Sequence, residues 1–302
     1  MKESTRGAFG IFLTYVFWGL MPVYWKALAS VNSMEILVHR IIWSCVFSFL
    51  LIIAIRRTSE VVSLFRSNRR ALVMLVLSGV AVSTNWGIYI WAVNDGRILE
   101  SSLGYFINPL ISMLFGVVIF KESLNNAQRL AFGISTAGVC FEIIALGHLP
   151  FVSLGLAFTF GIYGLLKKLS ATESIVGMAV ETLFIAPFAL LWLVWRYSGT
   201  AHFPDETWTA LLLIGTGVVT AMPLIFFAWG VKRCPLTIVG VVQYTSPALL
   251  FLSATLVYHE PIPPVRLLSF MLIWISIIIF TVDSLRRARN SADLQKVENG
   301  LK

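Results

Sequence analysis

Charge is the scarce ingredient of this chain. Of its 302 residues only 13% are Asp, Glu, Lys or Arg, about half the share of an ordinary soluble domain. That is too little to cover a water-exposed surface of this size, while 58% of the residues are hydrophobic and the mean hydropathy is +0.83. A soluble enzyme, a nucleic-acid binder and a disordered tail protein are thereby excluded as main readings. Cysteine is also sparse: Cys45, Cys140 and Cys234 form no C-x-x-C or zinc pattern. The histidines (His39, His148, His202, His259) are scattered without ligand spacing, so neither a metal nor a cofactor is expected. There is no G-x-x-x-x-G-K-[ST], no H-E-x-x-H and no G-x-S-x-G, which removes P-loop ATP hydrolysis and two common hydrolase designs. No carboxylate pair has the look of an acid/base dyad. The reading is a non-enzyme, with a polytopic membrane enzyme as the competing class and a membrane scaffold or sensor as the third.

What the chain has in abundance is apolar runs long enough to cross a bilayer. Ten are expected, at 8–28, 33–55, 71–93, 98–120, 129–147, 150–166, 174–195, 208–230, 235–257 and 266–284. The first follows a basic start but carries Trp18, Pro22 and Trp25 and no A-x-A site, so it reads as an uncleaved span. Alternate connections collect eighteen of the 23 Lys and Arg residues on the side of the N-terminus; four (Lys26, Arg97, Arg196, Arg266) fall on the other, and Arg40 lies within a span. Basic residues stay in cytoplasmic loops, so both termini are expected in the cytoplasm. The net charge of +8 is then topological, with attraction to the lipid bilayer as a secondary effect.

Sliding the chain by 138 residues aligns 91–124 with 229–262 without a gap, matching Trp91 with Trp229, Pro109 with Pro247 and Glu122 with Glu260. Five spans per half is an odd number, so the halves must insert in opposite directions, a plan common among secondary transporters. The expected fold is all-α, with two inverted five-helix repeats at 1–147 and 148–285 and a basic cytoplasmic tail at 286–302.

At the repeat, Ser101, Tyr105, Asn108 and Ser112 share one helix face. Asn108 lies about 16 Å in from Arg97 at 1.5 Å per residue. Gln243 and Ser246 hold the matching positions in the second half, and each pair precedes a proline. Pro109 and Pro247 free the carbonyls of Tyr105 and Gln243, which in lipid need a partner. A wet cavity supplies one; the alternative is an interhelical polar contact with kinks that serve packing. Asn85 and Tyr89 add polar groups from the third span. Trp18 and Trp86 either stack flat solutes or pack as core, and Trp25 reads as an interfacial anchor. Arg40 either holds an anionic group of a solute, pairs with Glu181 across the repeat, or snorkels outward. Glu35 reads as surface. Glu181 and His39 are the candidate proton carriers, with a purely structural role as the alternative.

Several stretches resemble one family: FLTYVFWGLMPVYWK (12–26), EILVHRIIWS (35–44), NWGIYIWAVNDGRILESSLGYFINPLI (85–111) and QYTSPALLFL (243–252) are similar to the RarD family, in the EamA branch of the drug/metabolite transporter superfamily. The resemblance covers all but the tail at 288–302. It implies ten helices in a basket-like bundle with a central cavity, in the bacterial inner membrane. It also implies export or exchange of small metabolites or drugs by alternating access, including chloramphenicol-like compounds, with amino-acid-like solutes as further candidates. The fifth helix of each half is implied to be peripheral, so 129–147, with its Gly133 and Ala137 step, or 266–284 is the expected homodimer surface.

Overall fold

The computed structural model describes residues 3–95, 97–199, 203–204, 206–256 and 264–300. Among these every regular element is an α-helix. In chain order they are α1 Glu3–Lys26, α2 Ser33–Ala54, α3 Thr58–Ser67, α4 Arg69–Asn94, α5 Ile98–Ile119, α6 Asn126–Leu146, α7 Phe151–Leu169, α8 Ser174–Tyr197, α9 Thr207–Val231, α10 Leu236–Gln243, α11 Thr245–Leu256 and α12 Pro264–Gly300.

Among the described residues eight helices are long and apolar enough to cross a membrane; two shorter apolar segments, Leu236–Leu249 and Leu267–Asp283, lie where the ninth and tenth spans are expected. The ninth is broken into α10 and α11 at Tyr244, just before Ser246 and Pro247. The connection at 56–70 contains the short helix α3, tied down by Arg57 to Glu60 and Glu173. The last helix, α12, runs on through 286–300. The acidic turn at Glu260, within 258–262, lies outside the described residues.

Helix starts are set by side chains that satisfy free backbone N–H groups. Asn32 accepts from the N–H of Met34, and Asn125 and Gln128 form a reciprocal capping box on α6. Glu173 caps α8. One cap crosses the molecule: Glu122, just after α5, accepts from the N–H groups of Leu236 and Thr237 at 2.8 and 2.9 Å and so caps α10 in the other half.

The helices interlock in pairs from the two halves: α1 with α9 and α11, α2 with α8 and α9, α4 with α7 and α8, α5 with α7 and α10. Close approach depends on small residues. A Cβ at Gly217 would sit 2.4 Å from the backbone of Trp43, and one at Gly240 would sit 2.5 Å from the carbonyl oxygen of Pro109. The α6 and α12 helices pack on each other at one side, with Ser276 donating to the carbonyl of Ala131 and Gly138 meeting Leu272. The two segments expected to offer a homodimer surface are thus engaged with one another inside the chain.

Candidate functional site

Enclosed by α1, α2, α4, α5, α7, α9 and the α10–α11 break is a cavity of about 200 Å³. Its position follows from where each helix carries its lining residues. Trp25 is in the last turn of α1, Arg40 in the second turn of α2 and Tyr89 near the end of α4, so the mouth lies at the end of the bundle where α1 and α4 finish. Asn108, Gln243 and Ser246 stand midway along their helices and form the floor.

All nine residues expected to meet a solute line this one cavity: Trp18, Arg40, Asn85, Trp86, Tyr89, Tyr105, Asn108, Gln243 and Ser246. They are not equivalent. Ser112 donates to Gln243 Oε1 at 3.0 Å and approaches Asn108 Oδ1 at 3.4 Å, so one hydroxyl couples the two amides that lie ahead of Pro109 and Pro247. Asn85 donates through Nδ2 to the carbonyl of Leu156 at 2.8 Å and to Thr159 at 2.9 Å. Its amide nitrogen therefore pins α4 to α7. Tyr89 and Tyr105 meet edge to face at 6.2 Å, are 37% and 44% exposed, and stand at the mouth. Trp18 belongs to an aromatic cluster with Tyr15, Phe160 and Phe227.

Arg40 differs from the expected pairing. Its Nε donates to Thr220 Oγ1 at 3.1 Å, and its guanidinium lies 4.8 Å from the ring centres of both Trp25 and Trp86. Glu181 is not its partner. That carboxylate accepts from Lys167 Nζ at 2.9 Å and from the Ser78 hydroxyl, with the Lys167 and Glu181 side chains each 2% exposed. The physical reason is depth. Glu181 lies in the second turn of α8 and Arg40 in the second turn of α2, and these helix starts stand at opposite ends of the bundle. Lys167 is drawn inside because α7 continues to Leu169, past the expected span end at 166.

The far end of the bundle is filled. Tyr163 stacks on Phe227 at 5.8 Å, and Tyr15, Tyr163 and Phe227 are buried. Lysines tie its edges: Lys168 donates to the carbonyl of Cys234 at 2.5 Å and Lys232 to that of Thr172. Burial, then the nearby Lys167 charge, push the Lys232 ammonium down to about 8. Between plug and cavity lies a second void of about 10 Å³ that Glu181 borders, no more room than a single water requires. Trp86 and Leu224 border both spaces and form the partition.

His39 lies outside both cavities. Trp43 donates its indole N–H to His39 Nδ1 at 3.2 Å, so Nε2 carries the ring proton in the neutral form and donates to Tyr197 Oη at 3.2 Å. Tyr197 in turn donates to Glu35 at 2.6 Å. Glu35 is accordingly 7% exposed and not surface. This chain of bonds ties α2 to α8 near the open end. Trp25, read as an interfacial anchor, also stands in the cavity wall. Thr220, Tyr15 and Phe160 also line it, and no motif distinguishes them from core residues.

The comparisons agree with this architecture. The model of the EamA-like transporter family matches residues 5–144 and 149–282. An uncharacterized transporter of Bacillus subtilis, YojE, is 40% identical over 96% of this chain and 98% of its own length. Protein RarD of Streptomyces exfoliatus is 40% identical over 96% and 92%. The chloramphenicol-sensitive protein RarD of Pseudomonas aeruginosa is 30% identical over 97% and 99%. One crystal structure superposes with a TM-score of 0.69 over 91% of this chain and 97% of its own, at 16% identity, and shares the fold. The chain is a polytopic, all-helical membrane protein and belongs to the EamA-like transporter family.

Proposed function

We propose that this protein is a secondary transporter that moves a small solute through the central cavity by alternating access, as a permease of the bacterial inner membrane with both termini in the cytoplasm. The observation that carries the reading is the one-sided cavity. Polar and aromatic groups from both halves of the chain meet at mid-depth, open toward one end and sealed at the other by the Tyr163–Phe227 stack and the Lys167–Glu181 pair. With the basic loops inside, this is an outward-facing arrangement. The repeat boundaries at 1–147 and 148–285 fit the two matched segments of the family model and give the rocking units.

Tyr105, Asn108, Gln243 and Ser246 are read as the contact surface for the solute, with Trp18, Trp86, Tyr89 and Asn85 as its walls. Glu181 is the coupling group. Protonating it removes the charge that holds Lys167 and so loosens the inner seal, one thin partition away from the solute. His39, already engaged on both nitrogens, is the weaker candidate. A homodimer through 129–147 would have to use the side of α6 where Gly133 meets nothing within 4 Å.

The test is solute counterflow in proteoliposomes. Asn108→Ala combined with Gln243→Ala should abolish transport while expression and membrane insertion remain normal; wild-type counterflow in that variant removes this site. Glu181→Gln should lose dependence on a pH gradient, and an unchanged dependence discards its coupling role. Product formation in detergent without any gradient would instead indicate an enzyme.

A further inference from the structure

Arg40 is the cation of the cavity wall. Tyr105 and Tyr89 line the same cavity. Among the described residues no carboxylate pairs with Arg40, and its protein hydrogen bond is the one from Nε to Thr220. Among the described residues the other cations drawn deep into the bundle have acceptors: Lys167 has Glu181, and Lys168 has Cys234 and Glu122. A charge without a counter-ion at membrane depth is expensive, and here the Thr220 hydroxyl and the ring faces of Trp25 and Trp86 are what the described residues offer it.

The geometry of that compensation is directional. The indole rings lie against the guanidinium, and Nε is fixed by Thr220, so the Nη1 and Nη2 donors have no protein acceptor among the described residues on the wall of the cavity. An arginine held in this way presents a preset fork of parallel N–H groups, the shape that a carboxylate accepts with two oxygens. The aromatic lining around it suits a flat or apolar body, and the amides of Asn108 and Gln243 offer neutral polar contacts at the floor.

Resting on the transporter reading above, we infer that the solute is a small organic anion: a monocarboxylate with a flat apolar body, its carboxylate bound end-on by Arg40 between Trp25 and Trp86. Neutral isosteres are then poorer ligands, because they leave the cation unmatched.

The experiment is equilibrium dialysis of radiolabelled probes against the purified protein in detergent, using isosteric pairs: indole-3-acetate with indole-3-acetamide, and phenylacetate with phenylacetamide. Wild-type protein should bind each acetate about tenfold more tightly than its amide, a charge-assisted against a neutral hydrogen-bonded contact. In Arg40→Gln the acetate should fall to the level of the amide, the amide holding within about twofold as the check that the cavity is intact. Arg40→Lys should keep part of the preference.

Equal binding of both members, binding of neither, or a preserved preference in Arg40→Gln overturns the inference. So does competition by inorganic phosphate as strong as that by the acetates, which would assign the site to a tetrahedral oxyanion such as a lipid headgroup. If Arg40→Gln does not fold, phenylglyoxal modification of wild-type Arg40, located by mass spectrometry, decides: indole-3-acetate should protect it and the amide should not, and equal modification with both defeats the inference. The two readings separate cleanly. Carboxylate preference without counterflow in proteoliposomes upholds the ligand class and defeats transport; counterflow of amides as fast as acetates upholds transport and defeats the ligand class.

Discussion

Lys167 and Glu181 are buried together beside Ser78, and a pair of this kind has an asymmetric energetic signature. Two desolvated charges roughly offset their own burial, but removing one leaves the other stranded. Lys167→Met should therefore destabilise the protein by about 3–5 kcal/mol, read as a lowered midpoint of denaturant unfolding in detergent. Adding Glu181→Leu should restore most of that loss. Additive losses in the double variant would show that the pair is not a coupled unit. Much of the residue-level chemistry was legible in sequence: Asn108, Gln243 and Ser246 announce themselves as amides and a hydroxyl set before proline at mid-span. The partner of Glu181 was not legible, because Lys167 sits two residues from the end of α7 and a lysine at a helix end reads as a loop cation. Trp25 hides a second contact for the same reason in reverse. A tryptophan near a span end has a good interfacial explanation, and nothing local reveals that an arginine from another helix lies against its face.

At the scale of elements, the crossing of α5 and α10 is the joint on which the floor of the cavity depends. Gly240 meets the carbonyl of Pro109 and the Met113 side chain at 2.5 Å from where a Cβ would stand, and Glu122 caps α10 from the end of α5. Gly240→Val should force the helices apart, lowering the yield of folded protein and separating Gln243 from Ser112; near-wild-type yield and stability would show that the contact yields easily. Glu122→Ala removes both acceptors at once and should cost about 0.5–2 kcal/mol, the range for loss of a helix cap, measured by the same unfolding midpoint. Existence and order of the helices follow from the apolar runs, and the proline-marked break before Pro247 follows from the missing N–H. The α3 helix was hidden in a polar connection whose amphipathic pattern is too short to weigh against loop. The mutual packing of α6 and α12 was also out of reach, since apolar faces turned to lipid and to protein look alike in composition.

For the molecule as a whole, the odd number of spans in each half and the sorting of basic residues already imply two units facing opposite ways around a shared centre. The structure adds the asymmetry that a mechanism needs, an open mouth bordered by Tyr89 and Tyr105 and a sealed end around Tyr163. No sequence pattern encodes which end is open, because in the proposed cycle the same residues would serve both states. The direct measurement is the sidedness of Ser246. Ser246→Cys, in a chain with Cys45, Cys140 and Cys234 replaced by Ser, is treated with a membrane-impermeant methanethiosulfonate in right-side-out and inside-out vesicles. Reaction is expected from the outside only. A thiol that stays unreactive from both faces, or reacts equally from both in the otherwise unaltered chain, contradicts a central pocket served by one gate at a time.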